Sequence, residues 1–348
     1  MKVRGIALWR VILLVVVLAA IVAGSWLWFD WARFARTPLS IPAAGQSIDV
    51  ARGASFKDIV RDLRNRKASG ASPLYWRLLA TQMHASGRLH AGEYALRPGM
   101  TPRDLIADMA SGRVMQRQFT IVDGWTFADL RRALASVDRL THDTADLDDA
   151  ALMTSLGADG EHPEGRFLPE TYAYVRGDKE SSLLKRAHAA MAKTLDAAWN
   201  DRDRSVPLAS PYEALILASI VEKETGRADE RPRIAGVFVR RLQQHILLQT
   251  DPTVIYGLGA SFDGNIRERD LRTDTPYNTY TRAGLPPTPI ALPSREAIEA
   301  ATRPLETGDI FFVATGIGDG SHVFSATLED HNAAVQRYLA RLRGNRRQ

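Results

Sequence analysis

"LASIVEKETG", residues 217–226, ends an apolar run with two glutamates, Glu222 and Glu224, two positions apart. The spacing predicts a helix from Tyr212 to Thr225, and residues 214–221 are apolar nearly all round, as in a helix enclosed by protein. At about 100° per residue, Leu217, Ile220 and Val221 fall within about 60° of Glu224, which points along an apolar stripe. Glu222 lies about 160° away, aligned with Leu215 and Ser219, and so has a polar neighbour. A carboxyl beside an apolar face loses hydration, its ionised form is penalised and its pKa rises. A general acid working near neutral pH needs that property. Periodicity leaves another reading open: both glutamates exposed at a fraying helix end, with Gly226 as the stop and Lys223 and Arg227 as solvent-facing neighbours.

Far upstream, "VILLVVVLAAIVAGSWLWF" (Val11–Phe29) runs 19 residues without a charge, close to the ~20 that cross a hydrocarbon core as a helix. Lys2, Arg4 and Arg10 precede it, while Trp26, Trp28 and Trp31 cluster at its far end as interface anchors do. This predicts a single-pass anchor at 11–29 with residues 1–10 cytoplasmic and the remainder on the outer side. A cleaved signal peptide would carry a shorter apolar core and a small-x-small cleavage site, not bulky tryptophans.

The length of 348 residues allows two domains, and 45% hydrophobic with 24% charged residues is the composition of a globular protein, not a disordered one. The net charge of +5 favours an anionic partner. Much of the excess, in Arg337, Arg341, Arg343, Arg346 and Arg347, reads as a solvated helix end and basic tail. Cysteine is absent, which excludes disulfides, thiolate catalysis and cysteine-ligated metal.

Residues 30–47 have the Pro, Ser and Gly content of a linker. After it a pattern recurs: "GASFKDI" from Gly53, "GMTPRDL" from Gly99 and "GWTFADL" from Gly124. Each reads as a glycine turn after a short strand, a hydroxyl N-cap, and a helix whose early Asp suits the positive helix end. The cadence resembles the LysM motif, a module that binds N-acetylglucosamine polymers, and 48–160 is taken as the LysM-like region. Residues 141–163 are acidic and weakly periodic, an inserted loop or weak helix. A further helix is expected from Ser181 to Ala198.

"ALILASIVEKETG", "RRLQQHILLQTDPTVIYGLG", "DTPYNTYTRAGLPPTPIALPS" and "GSHVFSATLEDHN", in that order, resemble the MltG (YceG-like) endolytic murein transglycosylases from about residue 45 to 342. The resemblance implies an α+β protein: a transmembrane helix, a small LysM-like βα part, and a lysozyme-like catalytic domain at 161–342. It also implies the inner membrane, a catalytic part in the periplasm, nascent peptidoglycan strands as substrate, and glycan-synthesising enzymes as partners. Lytic transglycosylases place their acid in a Glu-Ser pair at the end of a buried helix, which aligns with Glu224-Thr225, so Glu224 is the expected acid and Glu222 the fallback.

The implied mechanism uses one carboxyl. It protonates the glycosidic oxygen, then as a base takes the proton of the muramic acid C6 hydroxyl, leaving a 1,6-anhydromuramoyl end; neither metal nor nucleotide is needed. Thr225, Gln249, Thr250 and Asp251 are expected to contact substrate, with Asp251 also reading as a helix N-cap before Pro252. Tyr277, Asn278, Thr279 and Tyr280, in a turn-rich segment, offer aromatic faces and short polar groups suited to a pyranose. His322 starts a strand after a glycine-rich turn and is a further cleft candidate, whereas His331 reads as a helix-start residue. The alternative is a non-catalytic wall-binding scaffold for the synthases. Nucleic acid is not an expected partner, because no recognition motif or basic-aromatic stripe appears.

Overall fold

The uncharged N-terminal run continues as one helix, α1 (Val3–Arg36), in a computed structural model that describes residues 3–51 and 53–345. Met1 and Lys2, and residues 346–348 of the expected basic tail, lie outside the described residues. Residues 9–30 are exposed without exception, and the helix is long and apolar enough to cross a membrane. The protein is mixed α+β, and its contacts divide it into residues 1–117 and 118–348.

In the first unit the segment expected to be a linker is part of the core. Trp31, Ala35 and Leu39 are buried, Leu39 N–H donates to the Met100 carbonyl at 2.7 Å, and Ser40 N–H to that of Ala68 at 2.9 Å. Its apolar residues outweigh the Pro and Ser content that signalled flexibility. The unit continues through β1 (Gln46–Val50), α2 (Phe56–Asn65), α3 (Pro73–Gln82), β2 (Gly92–Leu96) and α4 (Pro102–Ser111). β1 and β2 pair antiparallel with Ile48 opposite Tyr94, both fully buried beside Ile59, Leu63, Trp76 and Leu105. At roughly 1.5–3 kcal/mol for each large side chain, this burial holds the unit together.

The second unit takes in the last three residues of β3 (Gln116–Thr120) and continues with α5 (Phe127–Ala135), α6 (Asp149–Leu156), β4 (Thr171–Val175), α7 (Glu180–Asn200) and α8 (Pro211–Glu224). It goes on with α9 (Arg231–Gln243), α10 (Asp251–Leu258), α11 (Glu268–Arg272), α12 (Arg295–Thr302), β5 (Phe311–Ala314), β6 (His322–Ser325) and α13 (Leu328–Asn345). β3 pairs with β4 and β5 with β6. The acidic stretch thus contains a short helix, α6, capped by Asp148.

The three glycine turns have one construction. Gly53, Gly99 and Gly124 take φ of +76°, +83° and +74°, a region open to glycine at little cost. Ser55, Thr101 and Thr126 then accept from the backbone of Asp58, Asp104 and Asp129, whose carboxylates return to the cap residue. Each such box stabilises its helix by about 1 kcal/mol. They do not form one repeat region at 48–160. The first two follow the paired strands β1 and β2, while the third precedes α5, whose Phe127, Leu130 and Leu134 pack with Phe167, Leu183, Leu184 and Leu292. The division therefore falls after Arg117 and not after residue 160.

α8 is the central helix of the second unit, packed against α7, α9, α10 and α12. Every residue from Ala214 to Val221 is buried. Ser219 is tolerated there because its hydroxyl donates to the Ile216 carbonyl at 2.7 Å and accepts from Ile290 N–H at 3.0 Å. That second bond ties the chain at Ile290 to α8.

Candidate active site

α8 stops at Glu224 because Thr225 turns extended, with φ −146° and ψ 135°. Gly226 is not the stop the sequence offered; Thr225 breaks the helix and its hydroxyl accepts from Arg227 N–H at 3.0 Å. The two glutamates then part company. The Glu222 side chain is only 5% exposed and ion-pairs with Arg231 at 3.3 Å. It also accepts from Ser294 N–H at 2.9 Å and from the Ser294 hydroxyl. These bonds fasten the end of α8 to the start of α12, so its lone pairs are spent on structure.

Glu224 is half-buried, and its carboxyl is held by Thr250, whose hydroxyl donates to Oε1. Burial pushes the Glu224 pKa up to about 7; the Thr250 bond opposes the shift, Asp251 adds to it and His322 opposes it. The residue still exposes some surface while its carboxyl is crowded by protein, as a group that must meet a ligand and yet hold a proton requires. The negative end of the α8 dipole further disfavours a carboxylate there.

Thr250 is the N-cap of α10, with Asp251 as its first residue, one position from the expected assignment. Its side chain makes no cap bond; the hydroxyl that would stabilise its own helix by about 1 kcal/mol is directed at Glu224 instead. Gln249, before it, is exposed and takes φ +53°, a strained conformation costing roughly 1–3 kcal/mol for a residue other than glycine. Arg241, 8% exposed, holds this loop. Its guanidinium donates to the Leu247 and Leu248 carbonyls at 2.9 and 3.0 Å and to Gln249 Oε1 at 3.3 Å.

The turn-rich segment splits into two roles. Asn278 is fully buried, its amide donating to the carbonyls of Asp270, Leu271 and Thr273 while Oδ1 accepts from Tyr280 N–H at 2.8 Å. Thr279 is 2% exposed; its hydroxyl accepts from Thr250 N–H at 3.1 Å and its carbonyl from Gln249 N–H at 3.1 Å. Both shape the loop and present no open surface to a ligand, contrary to the expectation that they contact substrate. Tyr277 and Tyr280 are half-buried. The Tyr280 hydroxyl donates to Asp251 at 2.5 Å, and burial followed by that bond raises its pKa. Tyr277 packs 4.9 Å from Tyr256 and bonds Thr288 at 2.9 Å.

His322 opens β6 with its Nδ1 2.7 Å from Glu230 Oε2 and its N–H 3.0 Å from Oε1. A carboxylate can only accept, so Nδ1 carries the proton that joins His322 to Glu230. Glu230 gave no sequence signal, nor did Glu164. Glu164, 3% exposed, has its pKa pushed up to about 7 by burial, against bonds from Phe127 N–H and the Tyr256 hydroxyl. His331, in the first turn of α13, stacks 4.9 Å from Phe311.

A family profile described as YceG-like matches residues 48–337. A protein of Bacillus subtilis named endolytic murein transglycosylase is 31% identical over 74% of this chain and 74% of its own length. One of the same name from Streptococcus pneumoniae is 27% identical over 72% of this chain, and the match spans about half, 51%, of that longer relative. A crystal structure of a YceG-like protein from Listeria monocytogenes superposes with a TM-score of 0.54 at 27% identity, covering 83% of this chain and 98% of that one.

Proposed function

The chain belongs to the YceG-like family, and from that premise we propose that it is a peptidoglycan lytic transglycosylase with Glu224 as its acid and base. The observation that carries the reading is the half-buried Glu224 carboxyl, pKa about 7, at the end of an enclosed helix. Protonated, it delivers its proton to the glycosidic oxygen between muramic acid and N-acetylglucosamine as the C1–O bond breaks. The resulting carboxylate takes the proton of the C6 hydroxyl as that oxygen closes on C1, giving the 1,6-anhydro end and restoring the acid. Thr250 orients the carboxyl, and the neighbouring charges of Asp251 and His322 tune it.

Tyr280, Asp251, Gln249 and Tyr277 are the proposed sugar contacts, with Thr225, Asn278 and Thr279 holding the frame. His322 is the proposed contact from β6. The span in α1 serves as a single-pass inner-membrane anchor with the catalytic unit in the periplasm. There cleavage of nascent strands would end their elongation beside the synthesising enzymes. The strand, glycine turn and helix order of the first unit supports a LysM-like wall-binding role for it, and the enclosed α8 supports a lysozyme-like reading of the second. The test is digestion of purified peptidoglycan by the full-length chain. Release of anhydromuropeptides by the native protein and none by Glu224→Gln is expected; no release by either leaves the wall-binding scaffold in its place.

A further inference from the structure

On α3 the pattern of a water-facing helix is reversed at two positions. Trp76, Leu79 and Ala80 face the core, whereas Leu74 and Leu78, one turn apart on the other side, are 59% and 48% exposed. Together with Gly24, Leu27, Trp28 and Trp31 of α1 they line a cavity of about 520 Å³. α3 is held firmly against α1. Trp31 Nε1 donates to the Tyr75 carbonyl at 3.3 Å and the Tyr75 hydroxyl to Asp30 at 2.7 Å. The Phe34 ring lies 5.7 Å from Tyr75 and 5.3 Å from Trp76.

The two leucines therefore stand beside Gly24 and Leu27, residues of the uncharged run itself. If that run crosses a bilayer, as proposed above and as this argument requires, α3 shares the depth of its last turns. We infer that α3 lies in the interfacial layer of the membrane, with Leu74, Leu78 and the cavity beside α1 occupied by lipid acyl chains. The first unit is then seated on the bilayer, not tethered above it.

Lipid is the occupant because the surface is continuous with the side of α1 that has no protein cover from residue 9 to 30. Trp26 and Trp28, 67% and 61% exposed, mark the interface where tryptophan is favoured. Arg77, between the leucines on the exposed face of α3, and Arg33 of α1 are both exposed. Their long stems can bring the guanidinium groups to lipid phosphates.

The chain has no cysteine, so Leu74→Cys, Leu78→Cys and, within the span, Val15→Cys can each carry one environment-sensitive fluorophore. The full-length variants are reconstituted into phosphatidylglycerol and phosphatidylethanolamine vesicles and challenged with a lipid-borne quencher or aqueous iodide. The expected result is blue-shifted emission from both α3 labels, most of it lost to the lipid-borne quencher and little to iodide. Labels on α3 open to iodide, while Val15→Cys is quenched through lipid, would leave the anchor intact and overturn the seating. A span label open to iodide would remove the anchor and the seating with it. Labels shielded from both quenchers would mean a protein cover, a second copy of the chain in this preparation, and would overturn the lipid assignment.

Discussion

The Thr250 hydroxyl donates to Glu224 Oε1 across 26 residues of chain, joining the end of one helix to the start of another. Thr250 N–H in turn donates to the Thr279 hydroxyl at 3.1 Å, so α8, α10 and the turn-rich segment meet at this carboxyl. A misplaced acid cannot protonate a leaving oxygen, and these bonds fix its position before any ligand arrives.

Glu224→Gln removes the transferable proton while keeping an acceptor for Thr250. Release of anhydromuropeptides should fall by about 10²–10⁴-fold, the usual worth of a positioned acid and base. Stability should move the other way. The folded-state pKa of about 7 lies above the ordinary 4.5, so as pH rises the unfolded chain sheds a proton that the folded chain keeps. The cost is absent below about pH 4.5 and complete above about pH 7. The glutamine variant should therefore be more stable by roughly 1–3 kcal/mol at pH 8 and equal at pH 4, as read by urea denaturation at both values. Equal stability at pH 8 would contradict the raised pKa.

The same proton predicts the pH profile. kcat/KM should decline above about pH 7 as Glu224 ionises in the free enzyme. Glu164 is also pushed up to about 7 by burial, but its partners are Phe127 N–H and Tyr256. Glu164→Gln should leave the alkaline limb where it is, and a limb that moves with Glu164 would reassign the titration.

The limits of sequence reading follow from where each residue's partners lie. Glu224 could be singled out because its apolar neighbours are one and two turns back on the same helix. So could the three glycine turns, whose cap residues are local. The fate of Glu222 depends on Arg231 and on Ser294, 72 residues away, and no periodicity carries that. Glu230, Arg241 and Glu164 gave no signal for the same reason: a charged side chain in sequence looks solvated until the fold buries it. Asn278 and Thr279 show the converse. Polar groups in a turn suggested ligand contact, but the carbonyls of the segment had first call on them. The apolar residues of the expected linker misled because their burial partners are on α3 and α4, more than 35 residues further along the chain.

Glu222→Gln should separate structure from chemistry. It leaves Arg231, only 12% exposed, without its carboxylate, and breaking a buried pair from one side costs about 3–5 kcal/mol. The melting temperature should drop by several degrees, with kcat per folded molecule little changed at a temperature where the variant remains native. A loss of kcat as large as that of Glu224→Gln, in protein shown by circular dichroism to be folded, would make Glu222 the acid.

Arg241→Lys should loosen the strained turn at Gln249. A lysine has one charged centre and cannot reproduce the fork that spans the Leu247 and Leu248 carbonyls and Gln249 Oε1. Thr250 would then be poorly placed, and kcat should fall about tenfold with the alkaline limb broadened. Hydrogen exchange of residues 246–250 should rise, since two carbonyl contacts are weakened. Unchanged exchange with unchanged kcat would show that the turn holds its shape unaided.

Thr250→Val keeps the volume and removes only the hydroxyl. The hydrogen bond from Thr250 favours the ionised form of Glu224 and opposes the upward shift caused by burial, so its loss should raise the pKa further. The alkaline limb of kcat/KM should therefore move to higher pH, by about half a unit to one unit for a bond worth roughly 0.5–1.5 kcal/mol. The maximum rate should fall severalfold as the carboxyl loses its fixed orientation. Thr250→Ser, which retains the donor, should restore the native limb. A limb that moved to lower pH in the valine variant would mean that the hydroxyl serves the protonated acid as an acceptor, reversing the polarity assigned to this bond.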